Sequence, residues 1–198
     1  MKICYIAEDF DLTESPIGTN TYVVIATQHK RDHLWLKKAL EVEPKYADAL
    51  ELIGKIYFDR NDFQKAVSFY QQVLTADPKR GAVRALIGDA QMKMEDWDGA
   101  ISSYQQALDA DPDLKAAYSQ LGRAYQEKKA YPKAVDWYRK GIKAEPENAD
   151  VWLALGELSR EINKKKDAIT AFRKYLELRP EAENKKEIED AIYFLEQK

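Results

Sequence analysis

Five of the seven prolines in this chain recur at a constant interval of 34 residues, and this regularity restricts the possible folds most strongly. The five are Pro44, Pro78, Pro112, Pro146 and Pro180. Each follows a stretch whose apolar residues have helical spacing. Proline cannot continue a helix and disfavours helical geometry in the preceding residue, so each one marks a helix end. A fixed period of this length predicts a repeat architecture in which each unit stacks on its neighbours.

Small and aromatic residues keep the same register as the prolines. The small residues are Gly54, Gly88, Gly122 and Gly156, and then Ala66, Ala100, Ala134 and Ala168. The rings are Tyr70, Tyr104, Tyr138 and Phe172. A glycine where two helices cross allows a close approach, and a ring fills the space beside it. The pattern therefore predicts that Tyr70, Tyr104 and Tyr138, together with Tyr57 and Tyr125, are packing residues between helices and do not line a ligand groove.

The third repeat shows these positions in a recognisable order. It contains Tyr118-x2-Leu121-Gly122-x2-Tyr125, then Ala134-x3-Tyr138, then Pro146. This order resembles the tetratricopeptide repeat, whose pattern is W-x2-L-G-x2-Y, A-x3-F and P. The other repeats depart from it at Arg84, Gln91 and Ser159, which stand at aromatic positions. The resemblance implies an all-α fold, a right-handed superhelical α-solenoid of helix pairs.

The period also predicts where the repeats and their helices begin and end. Four repeats are expected over 47–182, divided as 47–80, 81–114, 115–148 and 149–182. The first helix of each repeat (helix A) is expected at about 47–59, 81–94, 115–127 and 149–161. The second (helix B) is expected at about 63–76, 97–110, 131–144 and 165–178. Residues 183–198 carry an apolar stripe of Ile188, Ala191, Ile192 and Leu195, which predicts a capping helix with one polar face.

The first 46 residues do not follow this pattern. Residues 31–46 suit helix B of a partial repeat, whereas 1–30 form an atypical segment with Pro16 and Gly18 where helix A would run. Ile3–Ala7 suits a short buried strand. One helix over about Thr19–Val42 explains the apolar spacing that follows, although Tyr22–Ile25 alone also suits a strand.

The same opening has a second resemblance. Met1–Phe10, with sequence MKICYIAEDF, resembles the first strand of the GT-B glycosyltransferases, and Ser15–Thr19 resembles their glycine-rich turn into the first helix. A glycine turn at a helix N-terminus can contact a sugar nucleotide's phosphate. The resemblance covers only about 25 to 35 residues. It raises the hypothesis that the chain is a fragment of a glycosyltransferase–repeat fusion.

Composition and isolated reactive residues argue against several functions. The 31 Lys and Arg are interspersed with 34 Asp and Glu, giving a net charge of −3 and no basic stripe for nucleic acid. No apolar run is longer than five residues, the length of Tyr22–Ala26, and this is too short to cross a membrane, so a cytoplasmic location is predicted. Cys4 is the only cysteine, and His29 and His33 lack the further ligands of a metal site. We therefore predict no metal, no cofactor and no enzymatic activity.

The resemblance to tetratricopeptide repeats also implies a binding surface. In that family helix A residues line a concave groove that holds a partner's peptide or helix. The matching positions in this chain are Glu51, Lys55, Phe58, Asp59, Ala85, Asp89, Met92, Lys93, Ser119, Arg123, Gln126, Glu127, Leu153, Glu157 and Arg160. Charges of both signs with a few apolar contacts suit an extended peptide or an amphipathic helix, although an exposed helix face is also often only solvated.

The leading functional prediction is thus a non-catalytic scaffold or adaptor that binds a protein partner. Besides the fusion hypothesis, a self-assembling structural scaffold remains open, because the strand-like segment at 2–7 could pair between chains.

Overall fold

The computed structural model describes residues 47–197 of the chain. That part consists of α-helices joined by short turns, and it contains no β-strand. Its helices are α1 (Ala47–Asp59), α2 (Phe63–Ala76), α3 (Gly81–Lys93), α4 (Trp97–Ala110), α5 (Lys115–Glu127), α6 (Tyr131–Ala144), α7 (Ala149–Glu161), α8 (Lys165–Leu178) and α9 (Lys185–Gln197). The fold is therefore the all-α solenoid of helix pairs that the repeat predicts.

The helix bounds agree closely with those expected from the 34-residue period. Among the helices of the four repeats, only α3 differs, ending at Lys93 where the sequence predicted residue 94. The strand expected at 3–7 and the helix expected at 19–42 lie outside the described residues. The handedness of the superhelix stays a prediction from the resemblance.

Acidic side chains cap the start of two of the B helices. Asp62 and Asp96 are the N-caps of α2 and α4. The Lys65 backbone N–H donates to the Asp62 carboxylate at 3.3 Å, and the Gly99 N–H donates to Asp96 at 3.0 Å. Pairing an otherwise unsatisfied N–H stabilises a helix by about 1 kcal/mol. Asp167 lies in the first turn of α8, where its charge favours the helix N-terminus.

The turn inside each repeat contains one residue with a left-handed backbone. The φ angle is 60° at Asn61, 59° at Glu95, 61° at Lys129 and 59° at Asn163. After α5, for example, the Ala130 N–H donates to the Tyr125 carbonyl and the Lys129 N–H to the Gln126 carbonyl, both at 2.8 Å. These two bonds close the helix end in the Schellman pattern, which requires the left-handed residue. The sequence analysis missed this position because its side chains differ between repeats.

Contacts divide the chain into two compact units, with the boundary between Lys79 and Arg80. In the described part of the first unit, α1 packs against α2. Ala49 and Ile53 are buried in this contact. The rings of Tyr57 and Phe69 stack beside them with centroids 5.3 Å apart. The first unit thus has a small apolar core of its own.

In the second unit, three helix pairs share one pattern of close packing. A ring of each B helix lies against a glycine of its A helix, in the pairs Gly88–Tyr104, Gly122–Tyr138 and Gly156–Phe172. A Cβ on Gly122 would lie 2.6 Å from Cδ1 of Tyr138, which is far inside van der Waals contact. Only glycine allows the ring this position, so the repeated Gly and aromatic residues are two halves of one packing unit.

The last helix, α9, packs against α8 through the apolar stripe seen in the sequence. Ile188 is buried in a cluster with Phe172 and Tyr175, and Ala191, Ile192 and Leu195 lie partly buried against that cluster. The opposite face of α9 is exposed. The amphipathic helix α9 therefore covers apolar residues of α8 with one face and exposes the other to solvent.

Candidate functional site

The predicted groove residues of the first unit lie on α1. Lys55 and Asp59 are exposed, whereas Glu51 and Phe58 are half-buried. The Phe58 ring contacts the Phe63 ring edge-on, with centroids 5.3 Å apart. Part of the apolar surface expected for a ligand at Phe58 is thus already used in packing between α1 and α2.

The other eleven predicted groove residues lie on α3, α5 and α7 in the second unit. Each helix presents them at i, i+4 and i+7 spacing, which places them on one face. We call these residues the groove face: Ala85, Asp89, Met92, Lys93, Ser119, Arg123, Gln126, Glu127, Leu153, Glu157 and Arg160. None of them is fully buried, so side chains of this face are available at the surface.

Two tyrosine hydroxyls form hydrogen bonds to the groove face. The rings of Tyr104 and Tyr138 are buried, as predicted for packing residues. The hydroxyl of Tyr104, however, donates to Oδ1 of Asp89 at 2.6 Å, and that of Tyr138 donates to Oε1 of Gln126 at 2.8 Å. Sequence reasoning identified these rings and missed the role of their hydroxyls. Each hydrogen bond holds a groove-face side chain in a defined position.

The third helix pair lacks this arrangement because Phe172 replaces the tyrosine. Without a hydroxyl, the ring offers only its face, and the guanidinium of Arg160 lies 5.8 Å from the ring centroid. A cation over an aromatic ring at this distance gains a weak electrostatic attraction. Arg160 is therefore held differently from Asp89 and Gln126.

Burial changes the ionisation of the Asp89–Tyr104 pair. Burial raises the pKa of the Asp89 carboxyl above its ordinary value, while the Tyr104 hydrogen bond and the Lys93 charge act in the opposite direction. Burial also raises the pKa of the Tyr104 hydroxyl, and the adjacent Asp89 charge raises it further, with Arg123 opposing. Tyr104 consequently stays protonated at neutral pH and donates its hydrogen bond to Asp89.

Arginines on the groove face differ from three arginines elsewhere in the second unit. Arg139 pairs with Asp167 at 2.9 Å, Arg173 with Glu196 at 2.6 Å and Arg179 with Asp150 at 3.1 Å. Within residues 47–197, neither Arg123 nor Arg160 forms an ion pair with a carboxylate. These two guanidinium groups keep their donors available for an external acceptor.

An open pocket joins the groove face to the last helix. It has a volume of about 470 Å³ and is lined by Arg160 of α7 and by Lys186, Glu187, Asp190, Ala191 and Phe194 of α9. The Phe194 ring is 64% exposed and meets the Tyr193 ring edge-on. Arg160 was a predicted groove residue and Ala191 belongs to the predicted apolar stripe, whereas Lys186, Glu187, Asp190 and Phe194 were not predicted to line a site. The adjacent aromatic pair outside the apolar stripe was the signal that could have found them.

Other site types receive no support from the described residues. Among residues 47–197, no group of three His, Cys, Asp or Glu side chains is placed to hold a metal ion. No helix in that range is long and apolar enough to cross a membrane. Cys4, His29 and His33, together with the segment that resembles a glycosyltransferase, lie outside the described residues.

Comparison with protein-family models covers most of the chain. Two models described as tetratricopeptide repeat match residues 36–90, 57–102, 86–146 and 138–183. The chain belongs to the tetratricopeptide repeat family. Repeats of this family are generally non-catalytic interaction modules, so the chain is a protein-interaction scaffold.

Several solved structures share the fold. One structure of MamA is 24% identical with a TM-score of 0.71, covering 75% of this chain and 90% of that one. MamA from Desulfovibrio magneticus, from residue 41 onward, is 23% identical with a TM-score of 0.72, covering 78% and 87%. YrrB, described as having an unusual peptide-binding site, is 20% identical with a TM-score of 0.67, covering 77% and 78%. No curated protein matches the chain in sequence.

Proposed function

We propose that this tetratricopeptide repeat protein is a non-catalytic adaptor that binds a peptide or helix of a partner protein on its groove face. The observation that carries the proposal is the contrast between arginines. Arg139, Arg173 and Arg179 are paired within the fold, whereas Arg123 and Arg160 are not paired within the described residues. A guanidinium without an internal partner gains most from a ligand carboxylate or carbonyl.

The apolar members of the groove face favour a peptide over a small ion. Met92 packs partly against the core of the second unit, and Leu153 packs partly against the cluster around Phe172. Both are half-buried, so an apolar side chain of a ligand could cover the remaining surface. Apolar contacts between charged groups are typical of surfaces that bind an amphipathic helix or an extended segment.

A pull-down with two charge-reversed variants tests this proposal. The first variant carries Arg123→Glu and Arg160→Glu on the groove face. The control carries Lys143→Glu and Lys166→Glu at exposed positions outside the predicted groove, so both variants have the same net charge. Equal circular dichroism spectra and melting temperatures first establish that both fold.

Native lysate is then passed over the wild-type chain and both variants, and bound proteins are identified by mass spectrometry. We expect partners that bind the wild type and the control and are lost only from the groove variant. Partners kept by the groove variant, or lost equally from both variants, would place the binding site elsewhere and contradict the groove face.

Other features of the function stay predictions of the sequence. We propose that the chain binds no nucleic acid, because its opposite charges are interspersed without a basic stripe. We also propose that it binds no membrane and resides in the cytoplasm, because its apolar runs are too short to cross a bilayer. The fusion hypothesis predicts sugar-nucleotide binding by the purified chain. Homo-oligomerisation through the N-terminal segment predicts a concentration-dependent mass that is abolished by deleting residues 1–18.

A further inference from the structure

Three successive A helices of the second unit carry charges of alternating sign at one register position. These are Asp89 on α3, Arg123 on α5 and Glu157 on α7, each 34 residues from the next. All three belong to the groove face, and none forms an ion pair of 4 Å or less within residues 47–197. We call these three residues the charge ladder.

Asp89, the first member of the charge ladder, is held in a fixed orientation and can accept further hydrogen bonds. Oδ1 of Asp89 accepts from the Tyr104 hydroxyl at 2.6 Å, which fixes the orientation of the group. A carboxylate has about four acceptor sites, and one is used here. Asp89 is half-buried, and this partial loss of hydration disfavours its charged form. A cationic group of a ligand would offset that desolvation cost.

The second and third members, Arg123 and Glu157, lie near one buried residue, Tyr138. Burial raises the pKa of the Tyr138 hydroxyl, Arg123 opposes that change, and Glu127 and Glu157 raise the pKa further. The Tyr138 ring also lies in one buried cluster with Leu121 of α5 and Leu155 of α7, so both helices border the same stretch of surface. Arg123 and Glu157 are both exposed there.

Gln126, which is hydrogen-bonded to Tyr138, offers a donor for a peptide backbone. The Gln126 side-chain oxygen accepts from the Tyr138 hydroxyl, so this amide presents its NH₂ group as a donor. Within the described residues that NH₂ group has no acceptor. A peptide carbonyl crossing between α5 and α7 is an acceptor of suitable kind, and such contacts to the main chain are independent of the ligand's side chains.

We propose that the charge ladder selects the order of charges along the partner, preferring a segment with a basic, an acidic and a basic side chain opposite Asp89, Arg123 and Glu157. This inference rests on the proposed function and specifies the chemistry of the ligand. The order basic–acidic–basic is the same in both chain directions. The prediction therefore holds whichever way the segment lies along the groove face.

The test uses end-capped, fluorescein-labelled peptides that differ only in charge order. An extended chain advances about 3.3 Å per residue, so one to four spacer residues place neighbouring charges about 7–17 Å apart, a range that includes the usual 8–10 Å between packed helices. Peptides with the order Lys–Glu–Lys are compared with Lys–Lys–Glu and Glu–Lys–Lys peptides of identical composition and net charge. Fluorescence anisotropy gives the Kd for each spacing.

For the wild-type chain, we expect Lys–Glu–Lys to bind about 3- to 10-fold more tightly than either misordered peptide. Each misordered peptide places two of its charges opposite ladder residues of the same sign, and the matching order makes both pairs attractive. This advantage should shrink as salt is added. The double variant Arg123→Glu, Glu157→Arg keeps the net charge and changes the ladder order. It should prefer one of the two misordered peptides, and which one it prefers shows the chain direction of the bound segment.

Equal Kd values for all three orders would overturn the charge-order inference, as would no binding of any Lys–Glu–Lys peptide up to about 1 mM. So would a preference that persists unchanged in the double variant. These failures are distinguishable from failure of the proposed function. Partners lost only from the groove variant in the pull-down would keep the groove face as the binding surface while the charge order is rejected.

Discussion

The close contact between Gly122 and Tyr138 leads to a quantitative prediction about stability. Gly122 lies inside α5, where alanine would favour the helix by about 0.8–1.0 kcal/mol over glycine. A Cβ at this position would instead lie 2.6 Å from Cδ1 and 2.7 Å from Cε1 of Tyr138. The ring is 3% exposed and its hydroxyl is hydrogen-bonded to Gln126, so it cannot move away freely.

We expect Gly122→Ala to destabilise the protein despite the better helix propensity. Overpacking a buried contact costs about 1–3 kcal/mol, and weakening the Tyr138 hydrogen bond adds about 0.5–1.5 kcal/mol. After subtraction of the propensity gain, the free energy of unfolding should fall by about 1–3 kcal/mol. A loss of this size lowers the melting temperature by about 2–12 °C in a chain of this length.

Gly141 provides a matched control on the neighbouring helix. It also lies inside a helix, α6, but a Cβ there would meet Cγ1 of Val151 at 3.4 Å and the Ser119 backbone nitrogen at 3.5 Å. These are ordinary contacts. Gly141→Ala should therefore keep or raise the stability, by up to about 1 kcal/mol.

Urea denaturation followed by circular dichroism measures both variants, and a double-mutant cycle isolates the contact. Gly122→Ala is repeated in a Tyr138→Leu background, where the ring is absent. The substitution should cost at least about 1 kcal/mol less in that background. Equal costs in both backgrounds, or a Gly122→Ala variant as stable as Gly141→Ala, would falsify the steric reasoning.

Three further predictions concern single side chains in the second unit. The Ser159 hydroxyl is fully buried and has no hydrogen-bond partner among the described residues, so Ser159→Ala should raise the free energy of unfolding by about 1 kcal/mol. A lower urea midpoint would indicate a partner for this hydroxyl. Lys129 has a φ of 61°, which disfavours a side chain, so Lys129→Gly should raise the melting temperature, by an amount equivalent to about 1 kcal/mol. A fall would mean that the turn relaxes without strain. Burial raises the folded-state pKa of Asp89, so in the window from its ordinary value of 3.8 upward the folded state holds more protons, and stability falls as pH rises. Asp89→Asn keeps an acceptor for Tyr104 and should flatten this dependence in melting curves taken across the window. An unchanged slope would assign the dependence to other groups.

Features with a fixed sequence period were predictable from the sequence. The prolines and glycines located the helices of the four repeats to within one residue, because helix ends and close helix crossings depend on the local backbone. The pairing of Gly122 with the Tyr138 ring also followed from register, since both recur every 34 residues. The left-handed turn residue recurs equally often, but it escaped notice because Glu95 and Lys129 carry no conformational signature.

The tertiary structure decided which polar groups are used internally and which remain available. Arg139 and its partner Asp167 are 28 residues apart, and Arg173 and Glu196 are 23 apart. The repeat register separates Arg123 on a helix A from Arg139 and Arg173 on B helices, but it does not show which arginine has a carboxylate within reach. The difference arises where neighbouring helices bring a carboxylate within reach, and that depends on packing across repeats. Local periodicity therefore determined the helices, whereas packing between them determined the chemistry of the surface.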